Sequence, residues 1–388
     1  MTITARALNR ATLARQLLLG RESLEVSDAV RRVVALQAQQ PASPYLALWN
    51  RISDFDPAHL DAAVAGLQAV KSTLMRITLH MVHAEDYRAF REAMEPTLRA
   101  SRLGTRFTAS GLTAADAGAL VPDLQRYADR PRTSAEVRGW LEDRVGAPME
   151  PVPWRMLRQY APLWHAPVGG PWSFDTQQSY VSAGTRPTLT DPDAAAEGLQ
   201  TLIRRYLEGF GPASVVDMAQ FALVQRARVR AALQALGAEL EQLDGPDGTV
   251  MYDIPGAPRP AEDTPAPPRL MAMWDSILLA YDDRSRVIPP AYRKHVTRMN
   301  GDVLPTLLVD GYVAGVWRPV DGGIEATAFH PLPSHVWQEL AAEARSLTAL
   351  LADRDPRVYH RYGHWWAKGL PAAETRLLPA DRPDTAPG

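Results

Sequence analysis

The sequence predicts an α+β fold that is mainly α, built from tandem winged helix-turn-helix units with a C-terminal β-rich subdomain. Within residues 1–255, three helical segments followed by an extended or hairpin segment recur three times, and that order is the outline of a winged helix. After a proline-rich segment, residues 269–378 carry strand-like runs instead. The three rounds share no obvious sequence identity, so a helical protein with hairpins is the alternative at this point.

The first predicted unit covers residues 1–110. Apolar residues recur at helical spacing over 5–19, a second helix begins at Ser27, and Pro57 opens a third. The run 73–83 is rich in branched apolar residues and predicts a strand or one arm of a hairpin.

The second and third predicted units, 111–190 and 191–255, repeat this order. Thr133 and Glu136 have the spacing of a capping box at a helix start, and Gly211-Pro212 is a helix stop. In the second unit, helices are predicted at 113–126, from 134 and at 153–160, followed by a wing at 164–180. In the third unit, helices are predicted at 194–210, 214–223 and 225–236, followed by a hairpin around 244–248.

The C-terminal part begins after residues 256–268, whose proline and charge content predicts a linker or long loop. Asp310-Gly311 is a dipeptide typical of a tight hairpin turn. Residues 379–388 are expected to be a disordered tail. The remaining elements are predicted strands at 270–279, 303–309, 312–319 and 324–329, and a helix at 334–351.

Composition describes an ordinary globular protein of 388 residues, 46% hydrophobic and 22% charged. No apolar run approaches the roughly 20 residues that span a bilayer, and the N-terminus lacks the compact apolar region of a signal peptide. We therefore expect a cytoplasmic protein with no membrane partner. The net charge of −2 does not indicate nucleic-acid binding, so a DNA-binding surface would require arginines segregated onto one face.

The chain has no cysteine, which excludes disulfides, thiolate nucleophiles, cysteine zinc sites and iron–sulfur clusters. Lysine occurs only at positions 71, 294 and 368, and no local feature in the sequence lowers an amine pKa, so an amine nucleophile is disfavoured. His360 and His364 have helical metal-ligand spacing, but with an internal glycine and no glutamate. We predict no metal and no cofactor.

A pair of glutamines, Gln37 and Gln39, ends an apolar helical run just before Pro41. Residues two apart point to opposite sides of a regular helix. Because Gln40 precedes a proline and is biased towards extended backbone, the helix is expected to loosen within the triplet, so that both amides face one cleft. The alternative is a pair of solvated glutamines, or glutamines that bond the last free carbonyls of a helix.

Four short motifs together resemble the AlkZ-like winged-helix DNA glycosylases, in order from about residue 5 to about residue 370. In that family the Gln-apolar-Gln triplet is the catalytic motif, and it maps onto Gln37 and Gln39. The related YcaQ branch has aspartate at the second position, so Gln39 places the chain with the AlkZ-like branch. The motifs are Leu36-Gln37-Ala38-Gln39-Gln40-Pro41, Arg76-Ile77-Thr78-Leu79-His80-Met81-Val82, Gly211-Pro212-Ala213-Ser214 and Asp310-Gly311-Tyr312-Val313-Ala314-Gly315-Val316-Trp317-Arg318.

The resemblance implies a monofunctional DNA glycosylase that hydrolyses the N-glycosidic bond of alkylated purines carrying N7 or N3 substituents. The expected range extends to bulky adducts or interstrand crosslinks, as self-resistance to a genotoxic natural product. Such a base is cationic and leaves as a neutral molecule, so two amides suffice to place a water and stabilise the sugar. The expected partner is double-stranded DNA containing alkylated purines, and we expect a monomer.

Further side chains are candidates to line or orient this site. Arg76, Thr78 and His80 alternate, so a strand would put them on one face, in the same cleft as the glutamines. His80 is otherwise a partly buried histidine with satisfied hydrogen bonds. Tyr45 and Asn50 flank the triplet closely enough to orient it. Asp275 is either a second carboxylate near the site or a turn cap.

DNA contacts are predicted from the densest basic run in the chain, which contains one aromatic residue. The alternative is a solvated loop balanced by Asp282 and Asp283. The hairpin 310–318, with Trp317 and Arg318, is a second candidate that would probe a groove, although a tryptophan such as Trp317 is more often a core residue. The predicted contacts of the basic run are Arg284, Arg286, Tyr292, Arg293, Lys294 and Arg298.

Two other functional classes are open. A non-catalytic winged-helix regulator would bind DNA without releasing a base, but regulators usually combine one winged helix with a dimerisation element, and no heptad seam is visible here. A protein that sequesters a toxin would not touch DNA at all.

Overall fold

The computed structural model describes residues 2–100, 111–148, 150–167, 172, 178–184, 191–352 and 358–379. Over these ranges helix exceeds strand, and the strands lie in four separate antiparallel sheets, so the predicted α+β class with more helix than strand is confirmed. None of the helices in these ranges has both the length and the apolarity that crossing a membrane requires.

The first unit differs from prediction at its second helix. That helix was expected to run into the glutamine triplet but ends at Arg32. The first helix also ends earlier than predicted, at Arg15. The unit consists of α1 (Ala5–Arg15), α2 (Val26–Arg32), β1 (Leu36–Gln37), α3 (Ser43–Trp49), α4 (Pro57–Ala65), β2 (Ala69–Thr73), β3 (Leu79–His83) and α5 (Ala84–Arg99).

A three-stranded antiparallel sheet of order β1-β3-β2 organises this unit. Gln37 lies opposite His80 on β3, and His80 lies opposite Ser72 on β2. The predicted arm at 73–83 therefore contains β3 and the connection that precedes it. Helices α3 and α5 were not predicted, and α5 follows β3 without a break.

The second unit has the predicted order and a small hydrophobic core of its own, formed by residues such as Val137, Leu141 and Tyr180. Thr133 and Glu136 form the predicted capping box. The turn expected at Gly169-Gly170-Pro171 lies outside the described residues. The elements are α6 (Ala114–Tyr127), β4 (Arg132–Thr133), α7 (Ser134–Val145), α8 (Pro151–Tyr160), β5 (Leu163–Ala166) and β6 (Ser179–Ser182).

The third unit also matches its predicted order. Ser214 and Asp217 form a capping box, and α9 packs along α5 of the first unit. The elements are α9 (Pro192–Phe210), α10 (Val215–Ala222), α11 (Arg226–Leu236), β7 (Glu241–Asp244) and β8 (Val250–Asp253). The assignment of the three units as tandem winged helices stays a prediction.

Residues 256–268 have no regular secondary structure and run close to α1. Arg10 donates from Nε to the Thr264 carbonyl at 2.7 Å, and Arg15 donates from Nε to the Pro258 carbonyl at 3.2 Å. These arginines hold the segment along α1. The predicted domain boundaries stay predictions.

The C-terminal subdomain is a five-stranded antiparallel sheet of order β13-β12-β11-β10-β9. The strand predicted at 270–279 was wrong beyond its first residue, because the chain turns there and Asp275 caps a short 3₁₀ helix at Ser276–Leu278. Strand β13 was not predicted, and it takes in Pro379 of the expected tail; residues 380–388 lie outside the described residues. The elements are β9 (Arg269–Leu270), α12 (Arg293–Val296), β10 (Thr306–Val309), β11 (Tyr312–Val320), β12 (Gly323–Ala328), α13 (Ser334–Leu351), α14 (His364–Ala367) and β13 (Glu374–Pro379).

One hydrophobic core runs through the first unit, the third unit and the C-terminal subdomain, whereas the second unit packs around the separate core described above. Hydrogen bonds join the second unit to the first: Ser72 Oγ donates to the Leu163 carbonyl at 2.8 Å, and Arg91 Nη2 donates to the Gln159 carbonyl at 2.7 Å. The glutamine-bearing sheet thus belongs to the larger core.

Candidate active site

Gln37 is almost completely buried, with 4% of its surface exposed, and both ends of its amide are occupied. Its Nε2 donates to Thr78 Oγ1 at 3.0 Å, and its Oε1 accepts from Arg76 Nη2 at 2.9 Å. An amide oxygen has two lone pairs, so one acceptor position remains. The side chain is therefore fixed in one orientation before any substrate binds.

Gln39 is exposed and only loosely held. Its Oε1 accepts from the Leu79 backbone N–H at 3.4 Å, at the outer limit of a hydrogen bond. Gln37 thus contacts the connection between β2 and β3, and Gln39 contacts the first residue of β3. The helix that was predicted to loosen within the triplet does not reach it, because α2 ends at Arg32. The backbone is extended at Gln37, and Ala38 N–H bonds the Leu79 carbonyl at 2.8 Å, whereas Gln39 lies beyond β1 in a bend.

The chain reaches this extended conformation through Val34, which has φ 71°, a strained value for a β-branched residue. Val34 packs on α9 at Gly209, where a β-carbon would lie 2.5 Å from Val34 Cγ2. Gln16 of α1 donates to the Gly209 carbonyl at 2.8 Å and to the Val33 carbonyl at 3.3 Å. Tertiary packing therefore ends α2 and aims β1 at β3.

Arg76 forms the floor of the site. It and Ile77 have φ values of 54° and 58°, which make the β2–β3 connection tight. Its guanidinium binds Gln37, donates to the Phe221 carbonyl of α10 at 3.1 Å and lies 5.3 Å from the Phe221 ring centroid. Burial, and then the charge of Arg284, lower the pKa of Arg76 to about 10. Arg76 stays protonated at neutral pH.

His80 is buried and neutral. A guanidinium can only donate, so His80 Nε2 accepts from Arg76 Nη2 at 3.1 Å, and Nδ1–H donates to the Thr78 carbonyl at 3.1 Å. Burial, and then the charge of Arg76, hold the pKa of His80 well below its usual range. The structure therefore brings Arg76, Thr78 and His80 together beside Gln37, with His80 as the satisfied histidine of the alternative interpretation.

Tyr45, Asn50 and Asp275 have their partners elsewhere. Tyr45 donates its hydroxyl to Asp61. Asn50 donates to the Leu46 and Leu270 carbonyls. Asp275 binds Arg51 with two hydrogen bonds of 2.8 and 2.9 Å and also caps a turn, as its alternative interpretation expected. These three residues support the fold.

The predicted basic run divides into exposed and buried members. Arg293 and Lys294 are exposed, and Arg284 is half-buried. Arg284 donates to Thr297 Oγ1 at 3.1 Å; burial and then the charge of Arg293 lower its pKa. Arg286 is buried, donates to the Pro212 carbonyl at 2.8 Å and stacks on Tyr281, so its role is structural.

The other predicted DNA contacts pack within the C-terminal subdomain. Tyr292 is hydrogen-bonded to His330, Arg298 lies over the Trp365 ring, and Arg318 pairs with Glu325 at 2.7 Å. The structure supports the core alternative for Trp317, which is fully buried. Its indole N–H donates to the Met271 carbonyl at 2.9 Å.

The turn of the hairpin 310–318 packs against α1. Arg6 pairs with Asp310 at 2.8 Å, Arg10 also contacts Asp310, and Asn9 donates to the Gly311 carbonyl at 2.8 Å. These contacts occupy the turn, so it is not placed to probe a groove.

Sequence reasoning missed two features. The Phe221 carbonyl, which helps hold Arg76, carries no side-chain signal. Lys71 was expected to have an ordinary amine, but burial lowers its pKa to about 8. Lys71 lies opposite Met81, one position from the Ser72–His80 pair, so alternation directs it to the face opposite His80 and Gln37.

Comparisons with known proteins identify the family of this chain. The sequence profile of a family described as DNA glycosylase AlkZ-like matches residues 30–350. The chain belongs to this family. A relative from Streptomyces sahachiroi, the interstrand DNA cross-link repair glycosylase, is 27% identical over 342 residues, which cover 82% of this chain and 88% of the relative. The family resemblance predicted from the motifs is confirmed.

A solved structure shares the fold of this AlkZ-like chain. Streptomyces sahachiroi DNA glycosylase AlkZ superposes with a TM-score of 0.73 at 23% sequence identity, over 91% of this chain and 98% of that one. Because the chain belongs to the AlkZ-like family, it is a DNA glycosylase, and its macromolecular partner is DNA.

Proposed function

We propose that this AlkZ-like protein is a monofunctional glycosylase that hydrolyses the N-glycosidic bond of alkylated, cationic purines, with Gln37 and Gln39 as its catalytic residues. One observation carries the proposal: Gln37 and Gln39 contact neighbouring residues at and just before the start of β3, and the side chains that bond Gln37 are a hydroxyl and a guanidinium. These groups position and polarise, but none of them is an acid poised to protonate a leaving base.

The chemistry fits a base that is already primed to leave. A purine alkylated at N7 or N3 carries a positive charge, so cleavage of its glycosidic bond releases a neutral base and needs no general acid. The protein has to orient a water and stabilise the positive charge that develops on the sugar. His80 is neutral, and Asp275 is bound to Arg51, so neither supplies proton transfer at the glutamines.

The two glutamines have different roles in this proposal. Gln37 is buried, and hydrogen bonds hold both ends of its amide. Its carbonyl oxygen is therefore fixed in position and keeps one lone pair that accepts no hydrogen bond. Gln39 is exposed and loosely held, so its carbonyl can turn to accept from the attacking water or to face the sugar. A neutral amide is a weak base, which confines the activity to labile lesions.

A lyase step is not part of the proposal. Cutting the strand would require an amine to attack the sugar carbon. Lys71 has the lowered pKa that such a nucleophile needs, but it points to the face of the sheet opposite Gln37 and is buried. A water is therefore the proposed nucleophile.

Bulky adducts and interstrand crosslinks are included among the proposed substrates. The exposure of Gln39 leaves the site open on that side, and the name of the Streptomyces relative describes crosslink repair. Self-resistance to a genotoxic natural product is the corresponding biological role that we propose, and we propose that the protein acts as a monomer.

Base release from duplex DNA that contains N7-methylguanine tests the proposal. We expect free N7-methylguanine and abasic sites without strand cleavage. Gln37→Ala and Gln39→Ala should each reduce the single-turnover rate by about 100-fold, with a smaller effect on binding. Gln242→Ala, on the exposed strand β7, is the matched control and should leave the rate unchanged. DNA binding without base release would favour the regulator instead.

A further inference from the structure

Leu223, the residue immediately after α10, is an exposed leucine in a strained backbone conformation. Its φ and ψ angles are 57° and 49°, in the left-handed region where the ends of helices usually place glycine. The relative exposure of Leu223 is 46%, so much of its apolar surface lies in water. Neither the backbone conformation nor core packing therefore requires a leucine at this position.

The turn that carries Leu223 is held beside the glutamine site. Arg76 donates to the carbonyl of Phe221, two residues before Leu223, at 3.1 Å. On the other side, Thr97 Oγ1 of α5 donates to the Leu223 carbonyl at 3.2 Å. Since Arg76 also bonds the Gln37 carbonyl oxygen, Leu223 lies at the edge of the site that contains Gln37.

Leu67 shows that the backbone conformation alone does not indicate a function. It has φ 55° and a relative exposure of 50%, which closely match the values of Leu223. Leu67 precedes β2, at the end of the sheet where β2 pairs with His83. Gln39 lies at the opposite end, beside Leu79. Position next to the glutamines distinguishes Leu223, and Leu67 is its matched control.

The helix that follows this turn, α11, presents arginines without acidic partners. It contains three arginines and no acidic residue. Arg226 and Arg230 are exposed, and in the part of the chain that the structure describes neither of them forms an ion pair. Residues four apart lie on one face of a helix, where like charges destabilise it. An anion bound against this face would offset that repulsion.

DNA has the chemistry that this surface fits. The AlkZ-like protein acts on DNA, and a strand whose damaged nucleotide lies at the glutamines continues over the surface around them. Proteins that bend DNA frequently insert an apolar side chain between base steps, and arginines contact the phosphates nearby. An exposed leucine that is followed by two exposed arginines offers both kinds of contact.

We infer that Leu223 packs against a base next to the nucleotide that the two catalytic glutamines hold, and that Arg226 and Arg230 bind the flanking phosphates. This inference rests on the proposed function, since it takes the glutamines as the catalytic site. Leu223 occupies space that a stacked neighbouring base would fill, so it keeps the damaged nucleotide accessible. None of the three residues takes part in cleavage of the glycosidic bond.

Binding to a duplex with a tetrahydrofuran abasic site tests the Leu223 contact without any excision step. A 2-aminopurine next to the abasic site fluoresces more strongly when it unstacks. The wild-type protein should increase this fluorescence, whereas Leu223→Gly should lose the increase and bind about tenfold more weakly. Leu223→Met keeps an apolar side chain and should retain both properties.

The control for this variant is Leu67→Gly, which should bind and unstack the base as the wild type does. Glycine favours the left-handed backbone conformation, so both glycine variants should fold and neither should be less stable than the wild type. A loss confined to Leu223→Gly is therefore a loss of contact with DNA.

The salt dependence of binding to the same duplex tests the two arginines. Arg226→Gln and Arg230→Gln should each weaken binding and reduce the slope of log affinity against log salt concentration by about one. Arg88→Gln is the matched control, because this exposed arginine already pairs with Glu92 at 2.9 Å. It should leave the slope unchanged.

The inference is overturned if Leu223→Gly matches Leu67→Gly in affinity or in fluorescence, or if either of the Arg226 and Arg230 variants keeps the wild-type slope. The proposed catalysis can fail separately. A wild-type protein that shows all of these responses but releases no N7-methylguanine would leave this DNA contact standing and overturn the proposed catalysis. Release of N7-methylguanine without these responses would overturn the DNA contact alone.

Discussion

Arg51 and Arg76 are both drawn into the protein interior, yet the two sites are built in opposite ways. Arg51 is fully buried with Asp275 and makes two short hydrogen bonds to it. Arg76 is half-buried and bonds only neutral groups, among them Gln37. Asp275 neutralises the charge of Arg51 within the protein, and this ion pair joins the first unit to the C-terminal subdomain. No carboxylate among the described residues forms an ion pair with Arg76.

The comparison distinguishes an arginine that completes a buried ion pair from an arginine that we propose to serve the reaction. A buried ion pair that is complete costs a great deal to break, because the remaining charge is stranded. A cation held by neutral groups gives the fold less, and its removal should affect mainly the partner that completes it. Stability and activity should therefore respond oppositely at the two sites.

The largest change in the free energy of unfolding is expected at the Arg51–Asp275 ion pair. Asp275→Ala should lower the free energy of unfolding by about 3–5 kcal/mol, because it leaves the Arg51 charge buried and unpaired. Urea denaturation measures this loss. The double variant Arg51→Met, Asp275→Leu should recover much of it, since both charges are removed together. A loss below about 1 kcal/mol for Asp275→Ala would contradict the role given to this pair.

Lys71 should show an intermediate effect that depends on pH. Its pKa is lowered to about 8 in the folded protein, whereas an unfolded lysine titrates near 10.4, so the unfolded state binds more protons between these values. Stability contributed by this position should therefore rise as pH increases through that window. Lys71→Met should be more stable than wild type by about 1–3 kcal/mol at pH 7.

Urea denaturation of both proteins at about pH 7 and about pH 9.5 measures the Lys71 effect. The advantage of Lys71→Met should shrink at the higher pH. An advantage that is constant between the two would show that the amine is not desolvated as the structure indicates.

The smallest change in the free energy of unfolding is expected at Arg76. Arg76→Gln should change the free energy of unfolding by less than about 1 kcal/mol, because lost hydrogen bonds are offset by relief of the charge. Excision of N7-methylguanine should nevertheless fall, since Gln37 loses its clamp. If Arg76→Gln destabilised the protein as much as Asp275→Ala, the distinction between the two sites would fail.

The short motifs predicted which residues lie together here better than the sequence predicted the helices and strands around them. Arg76, Thr78 and His80 were predicted to share one face of a strand; the structure brings all three beside Gln37, but Arg76 and Thr78 lie in the turn before β3. The helix expected to reach the glutamines nevertheless ends at Arg32. Its end depends on Val34 packing against Gly209, a contact between residues 175 positions apart that no local pattern reveals.

Other differences have the same physical origin. The apolar run 270–279 predicts a strand, but Asp275 pairs with Arg51 and turns the chain. Trp317 lies in a hairpin whose turn is covered by α1, so its burial follows from packing that the local sequence does not encode. The cap at Thr133 and the turn at Asp310-Gly311, by contrast, were predicted well, because their hydrogen bonds are local.

The pH dependence of the single-turnover rate on duplex DNA with N7-methylguanine tests the central claim most directly. That claim is that uncharged amides hydrolyse a bond whose base needs no proton. His80 stays neutral and Arg76 stays charged across the range, so we predict a flat profile from about pH 6 to about pH 9. A rate that rises with a midpoint near the pKa of Lys71, or a bell-shaped profile, would contradict it.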